Sequence, residues 1–88
     1  MAQHKSAKKR ARQALKRRER NRAALSRVKT SVKQFRATAD AGDAAATTDA
    51  LREAEGLLRS ATSKGVIRAA HANRKISRLA RRAHQVTG

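Results

Sequence analysis

A hydrophobic core in this chain has to be assembled from thirteen large side chains: six Leu, two Ile, four Val and one Phe among 88 residues. They recur at helical steps in three separate runs. Leu25, Val28, Val32, Phe35 and Ala39 are spaced as a stripe along one face of an α-helix. Ala44, Thr47, Leu51, Ala54, Leu58 and Ala61 repeat that rhythm, and Ala72, Ile76, Leu79, Ala83 and Val86 repeat it again. Twenty alanines and no proline favour helix throughout. Asp43 is placed to cap the start of the second run, and Gly65 to end it from the left-handed position. Connections this short make neighbouring helices antiparallel. The expected fold is therefore all-α, an up-down-up three-helix bundle. Its thin core should be marginal alone and should gain stability from whatever it binds.

The first helix asks for more length than the bundle can cover. Residues 4–22 read HKSAKKRARQALKRRERNR, with ten Lys or Arg, one Glu and a single large apolar residue, Leu15. Followed backwards from Leu25, the apolar rhythm meets Asn21, Arg18, Ala14, Ala11 and Ala7. A helix from about residue 7 to 39 outruns a partner of about 20 residues by roughly 20 Å. One domain, residues 1–88, is expected, with residues 1–22 as a projecting basic arm and 23–88 as the bundle. Ser6 is the expected N-cap of the arm. Lys8, Lys9 and Arg10 then oppose the helix dipole, a penalty that a bound phosphate reverses. Residues 1–20 are accordingly expected to fray when free and to order on binding.

The formal net charge is +17. It is arranged in blocks: 14 basic groups and one acid in residues 1–36, two against five in 37–63, and seven against none in 64–88. A net charge of about 2–8 suffices for solubility, so the excess implies a polyanionic partner. Nucleic acid is the default, with an anionic membrane second. Lys5, Lys8, Lys9, Arg12 and Lys16 form one stripe of the arm, while Arg10, Arg17, Arg20 and Arg27 cover another side. The remaining strip, Ala7, Ala11, Ala14 and Leu15, is too small to anchor an interfacial membrane helix. No run approaches the roughly 18 apolar residues of a transmembrane helix. The Arg-rich, acid-poor start has the composition of a transit peptide, but helical patterning continues from it into core-like sequence.

Phe35 is the only aromatic residue and lies on the core seam, which leaves no platform for stacking single-stranded bases. Arg outnumbers Lys by 15 to 8, as suits bidentate phosphate contacts. These features leave a shape reader of folded RNA and a compactor of duplex DNA both open. The acidic middle segment is read as the solvent side of the bundle plus pairing to its basic neighbours, with Glu55 and Arg59 at i, i+4. Gly56 within it costs about 1 kcal/mol relative to Ala. The absence of Cys removes disulfide, thiolate and Cys-based zinc chemistry. His4, His71 and His84 have no metal-ligand spacing and are read as lying near RNA or solvent. No catalytic residue, metal or cofactor is expected.

Four strings go further than composition. HKSAKKRARQ, RRERNRAALSRVKT, SKGVI and NRKISRLARR, taken in order, resemble the family of bacterial small-subunit ribosomal proteins numbered twenty, nearly end to end. The resemblance implies a three-helix bundle in the cytoplasmic ribosome that binds small-subunit ribosomal RNA directly, early in assembly. It implies a monomer at the base of the subunit, near other ribosomal components, touching more than one RNA domain as a clamp and not a catalyst. No small-molecule substrate or membrane is implied. By matching position, Lys5, Ser6, Lys8, Lys9 and Arg10 would contact RNA, with Arg17, Arg18, Arg22, Arg27 and Lys29 continuing along the first helix. Lys64, Arg74, Lys75, Ser77, Arg78, Arg81 and Arg82 would supply a third-helix surface. Arg12, Lys16 and Arg20 join the set from the arm's own charge pattern. At residues 68–70 this sequence has Arg68-Ala69-Ala70 where the family runs His and, two on, Asn. Ala70 brings no polar side chain there, while Arg68 keeps a donor and adds charge.

Overall fold

The computed structural model describes the backbone of residues 2–88 and side chains from Lys5 onward. It contains three helices, α1 (Ala2–Ala41), α2 (Ala44–Ser63) and α3 (Ala69–Thr87), and no strand among the described residues. The molecule measures 64 × 21 × 13 Å along its principal axes. Its length is that of α1, since 40 residues at 1.5 Å each span about 60 Å.

Each joint has a local cause. Gly42 takes φ 75° after α1 and donates its N–H to Ala39 O at 3.1 Å. Asp43 is extended, and its Oδ1 accepts from Ala46 N at 3.1 Å, which satisfies one of the free donors of the first turn of α2. α2 ends in a Schellman turn: Gly65, at φ 76°, donates to Thr62 O, and Val66 donates to Ala61 O at 2.9 Å. Val66 is thereby folded back towards Ala61 and the core. Arg68 is extended and starts α3 without a side-chain cap.

One core runs along the body. Val28, Val32, Phe35 and Ala39 of α1 meet Thr47, Ala54, Leu58 and Ala61 of α2 and Ala72, Leu79 and Ala83 of α3, all buried. Phe35, Thr47 and Leu58 are the largest fully enclosed side chains. Thr47 escapes an orphan hydroxyl by donating to Asp43 O at 2.6 Å. α2 packs extensively on both neighbours, whereas α1 and α3 touch each other only briefly. The body is thus flattened, with α2 in the middle.

Two expectations are corrected. α1 begins at Ala2, so Ser6 lies inside the helix and is not its N-cap. Nothing in the first residues breaks a helix, so its hydrogen bonding continues past Ser6, and Lys8, Lys9 and Arg10 stand a turn or more from the terminus. Leu25, read as part of the seam, is 39 % exposed. Across from it α2 has already turned away through Gly65, so the seam closes one turn later, at Val28. His4 lies outside the described side chains.

Every residue from Lys5 to Arg20 is exposed. With no buried side chain, this stretch holds its helix mainly by propensity, and like charges at i, i+4 work against it: Lys5 and Lys9, Lys8 and Arg12, Arg12 and Lys16, Arg18 and Arg22. Helicity of the arm in the free protein should therefore rise with added salt or a bound polyanion. Residue-resolved NMR of residues 5–20 across a salt series tests this; full helicity at low salt would refute it. At Gly56 an added Cβ meets nothing within 4 Å. Gly56→Ala should stabilise the protein by about 1 kcal/mol, read from urea unfolding, because only helix propensity changes.

Candidate nucleic-acid interface

The cationic side chains occur in three surroundings. The arm carries them on every side. Helical geometry places Arg10 and Arg17 about five and three turns before Val28, on the side of α1 that faces the core further along. Past the end of the bundle that side has no apolar partner and becomes cationic instead. Lys5, Lys9, Arg12, Lys16 and Arg20 cover the opposite side. Arg18, Arg22 and Lys29 lie between, and all are exposed. Ser6 is exposed on the same helix.

Where the arm leaves the body it forms a cleft with the α2–α3 turn. Arg17, Arg20 and Arg27 stand on one wall and Lys64 and Gly65 on the other, around a volume of about 720 Å³. The Schellman turn fixes the second wall by its backbone, and the half-buried Asn21 and Ala24 anchor the first. Four cations converge there from two elements, with no carboxylate among the lining residues. An anion held in this cleft would bridge α1 and the loop.

The third surrounding is α3. Arg74, Arg78 and Arg81, at i, i+4 and i+7, form an exposed ridge opposite the buried Ala72, Leu79 and Ala83. Ser77 is exposed on one flank of this ridge. The other flank turns towards α1. Arg68, His71 and Lys75 face Lys29 and Leu25 across a furrow, and further along Arg82 Nη2 donates to Asp40 Oδ1 of α1 at 2.9 Å. Arg82 is 43 % exposed, so this pair leaves part of the guanidinium open to a phosphate. Sequence reasoning missed two residues beside the furrow. Lys33 and Arg36 continue the line from Lys29 to Asp40 at helical spacing, and both are exposed. Their basic charge alone did not separate them from ordinary solvated residues; the position of α3 does.

The only ion pair made by the acidic residues of α2, among the described residues, lies within that helix. Glu55 accepts from Arg59 at 2.7 Å within α2. Among the described residues no ion pair joins α2 to either basic helix, contrary to the expected pairing. Glu53 lines a shallow hollow with Arg27 and Gln34 of α1 without bonding to them. α2 separates its neighbours mainly by standing between them. Among the described residues no cluster of His, Asp or Glu is placed to hold a metal ion, and no helix is long and apolar enough to cross a membrane.

A slender helical body carries its cations on an arm, in a cleft and along a ridge, a surface whose chemistry suits a polyanion. Comparison with known proteins narrows the class. Residues 2–84 match the family described as Ribosomal protein S20. The chain is 48 % identical over 86 residues to the small ribosomal subunit protein bS20 of Desulfovibrio desulfuricans, covering 98 % of this chain and 97 % of that protein. It is 51 % identical over 83 residues to the bS20 protein of Anaeromyxobacter sp., covering 94 % and 91 %. With that of Geotalea uraniireducens it shares 49 % over 79 residues, covering 90 % and 91 %. The chain belongs to the ribosomal protein S20 family.

The two arginines of the α3 surface should separate in experiment. Arg78→Ala should weaken binding to structured RNA and lower the salt slope by about one, with stability unchanged. Arg82→Ala should weaken binding and also cost up to about 1 kcal/mol of stability, the usual ceiling for an exposed ion pair. Thermal melts and filter binding on both variants distinguish the two behaviours. Equal stability losses for both would show that the ridge is part of the body.

Proposed function

We propose that this chain, a structural and non-enzymatic component of the small ribosomal subunit, binds small-subunit ribosomal RNA directly and clamps RNA segments during assembly. The observation that carries the reading is the arm. Residues 5–20 are exposed all round and carry cations on every side, an arrangement suited to a helix lying between phosphate backbones that approach from several directions. The Arg74–Arg78–Arg81 ridge supports a second RNA contact, far from the tip of the arm in a molecule 64 Å long. Two such surfaces, joined through α1 once the arm is helical, would hold separate RNA segments at a fixed spacing.

In this reading Lys5, Ser6, Lys8, Lys9, Arg10, Arg12, Lys16, Arg17, Arg18, Arg20 and Arg22 serve the arm contact. Arg27 and Lys64 line its junction with the body, Lys29, Arg68 and Lys75 line the furrow between α1 and α3, and Arg74, Ser77, Arg78, Arg81 and Arg82 serve the far contact. The chain acts as a monomer, with other ribosomal components as neighbours and with no membrane or small-molecule substrate. Affinity comes from counterion release, and specificity from matching a fixed set of charges to RNA shape.

Competition at near-physiological salt tests the proposal. Folded small-subunit ribosomal RNA should outcompete duplex DNA and unrelated structured RNA, at equal phosphate, by about a hundredfold or more; specific protein–DNA complexes typically discriminate more strongly still. With 6–10 phosphates engaged, affinity should fall by about 10³–10⁵ between 50 and 200 mM salt. Equal binding to all three competitors would favour the duplex-DNA compactor instead.

A further inference from the structure

The furrow between α1 and α3 has an apolar floor that phosphate binding does not explain. Leu25 and Val28 of α1 meet Val66 and Ile67 of the α2–α3 turn around a hollow of about 420 Å³. Leu25 is 39 % exposed, one of two large apolar side chains so exposed among the described residues, and Val66 and Ile67 are only half-buried. The hollow is built and held in place. Val66 N–H is bonded to Ala61 O at 2.9 Å, so the turn presents its two β-branched side chains from a fixed backbone.

The rim determines the chemistry of the occupant. Lys29, Arg68, His71 and Lys75 complete the lining, and no carboxylate joins them. Arg68 starts α3 without a side-chain cap, so the first N–H groups of that helix face outward beside the same rim. An apolar peptide face would leave these cations uncompensated. A bare phosphate would leave the floor exposed to water. A partner with a flat apolar part and an anionic backbone within a few ångströms satisfies both.

We propose that this hollow receives one unpaired base of the bound RNA, splayed out of its helix, while the flanking phosphates rest on Lys29, Arg68 and Lys75. The assignment rests on the RNA-binding reading above and deepens it. The protein does not stack bases on aromatic rings, yet it reads one extruded nucleotide against aliphatic side chains. Unpaired bases in bulges and loops are the ones available for such contacts. The site also separates the roles of the basic surfaces: arm and ridge measure backbone spacing, and the furrow checks for a bulge between them.

Two RNA hairpins of equal phosphate count test it, one fully paired and one with a single-nucleotide bulge carrying 2-aminopurine, each titrated with the full-length protein and with Leu25→Gln. Leu25 is exposed, so the variant should fold; circular dichroism confirms that. The wild type should prefer the bulged hairpin by about tenfold, in the range of one stacked base. Its 2-aminopurine fluorescence should change on binding. Leu25→Gln should lose the preference and keep its affinity for the paired hairpin. Lys29→Ala should weaken both hairpins and keep some preference. Equal wild-type binding to the two hairpins would overturn the assignment. So would a Leu25→Gln variant that keeps the preference, and the floor would then belong to a protein neighbour. These failures are distinct from failure of the RNA-binding reading, which would appear as no preference for folded ribosomal RNA over duplex DNA in the wild type.

Discussion

The whole structure depends on α2 keeping two polycations apart while giving both something to pack on. α1 and α3 carry 19 of the 23 basic groups. α2 carries three acids and two arginines in 20 residues. A compact triangular bundle would press α1 against α3 along their length. The observed body is instead flattened to 13 Å in its thinnest direction, and the basic helices meet only briefly. Where they do approach, at their C-terminal ends, Asp40 stands between the charges and accepts from Arg82. The furrow follows from this arrangement. Lys29 lines its α1 side and Arg68, His71 and Lys75 its α3 side, so the furrow is basic across both walls.

Periodicity made the helices legible because each apolar stripe is a local property of its own segment. Asp43 and Gly65 were equally readable, since a cap and a left-handed glycine act within a few residues. What remained hidden depended on a neighbour's length or position. Leu25 continues the rhythm of Val28 and Val32, but α2 ends before reaching it. Ser6 has the chemistry of a cap, yet nothing in the preceding residues obliges the helix to start there. The partnership of Asp40 with Arg82 spans 42 residues and no pattern announces it. Lys33 and Arg36 likewise acquire meaning only from the course of α3. For the proposed interface, the sequence revealed which charges were in excess, and the resemblance implied which of them would face RNA. Neither showed that an apolar floor lies among them.

The arm shows the same limitation from the other side. A helix is stabilised in proteins mostly by burying one face, and residues 5–20 bury none. Here the usual order is inverted: the sequence supplies alanine and long straight side chains that tolerate a helix, and leaves the stabilising partner to be found outside the chain. Phosphates on several sides would remove the i, i+4 repulsion that a free arm carries and would draw the helix out along its full length. An arm that ordered on binding would lose conformational entropy at that moment, which would lower affinity per contact while allowing a thin element to enter a crowded space.

Thin core, open furrow and unsupported arm are consequences of one allocation of residues. Eleven of the thirteen large apolar side chains pack in or against one core around Phe35 and Leu58, enough for a single layer and no more. Anything that binds the folded form and not the unfolded chain adds its own free energy to folding. On this molecule the proposed RNA contacts lie along the arm, in the cleft closed by Lys64, and across the furrow between α1 and α3. Each of these places joins two elements or extends one, so RNA bound as proposed would perform work that a larger core performs in an independent domain. The same excess of charge that opposes compaction of the free protein would then help to fix its shape in such a complex, because repulsion between its helices would become attraction shared through the phosphates between them.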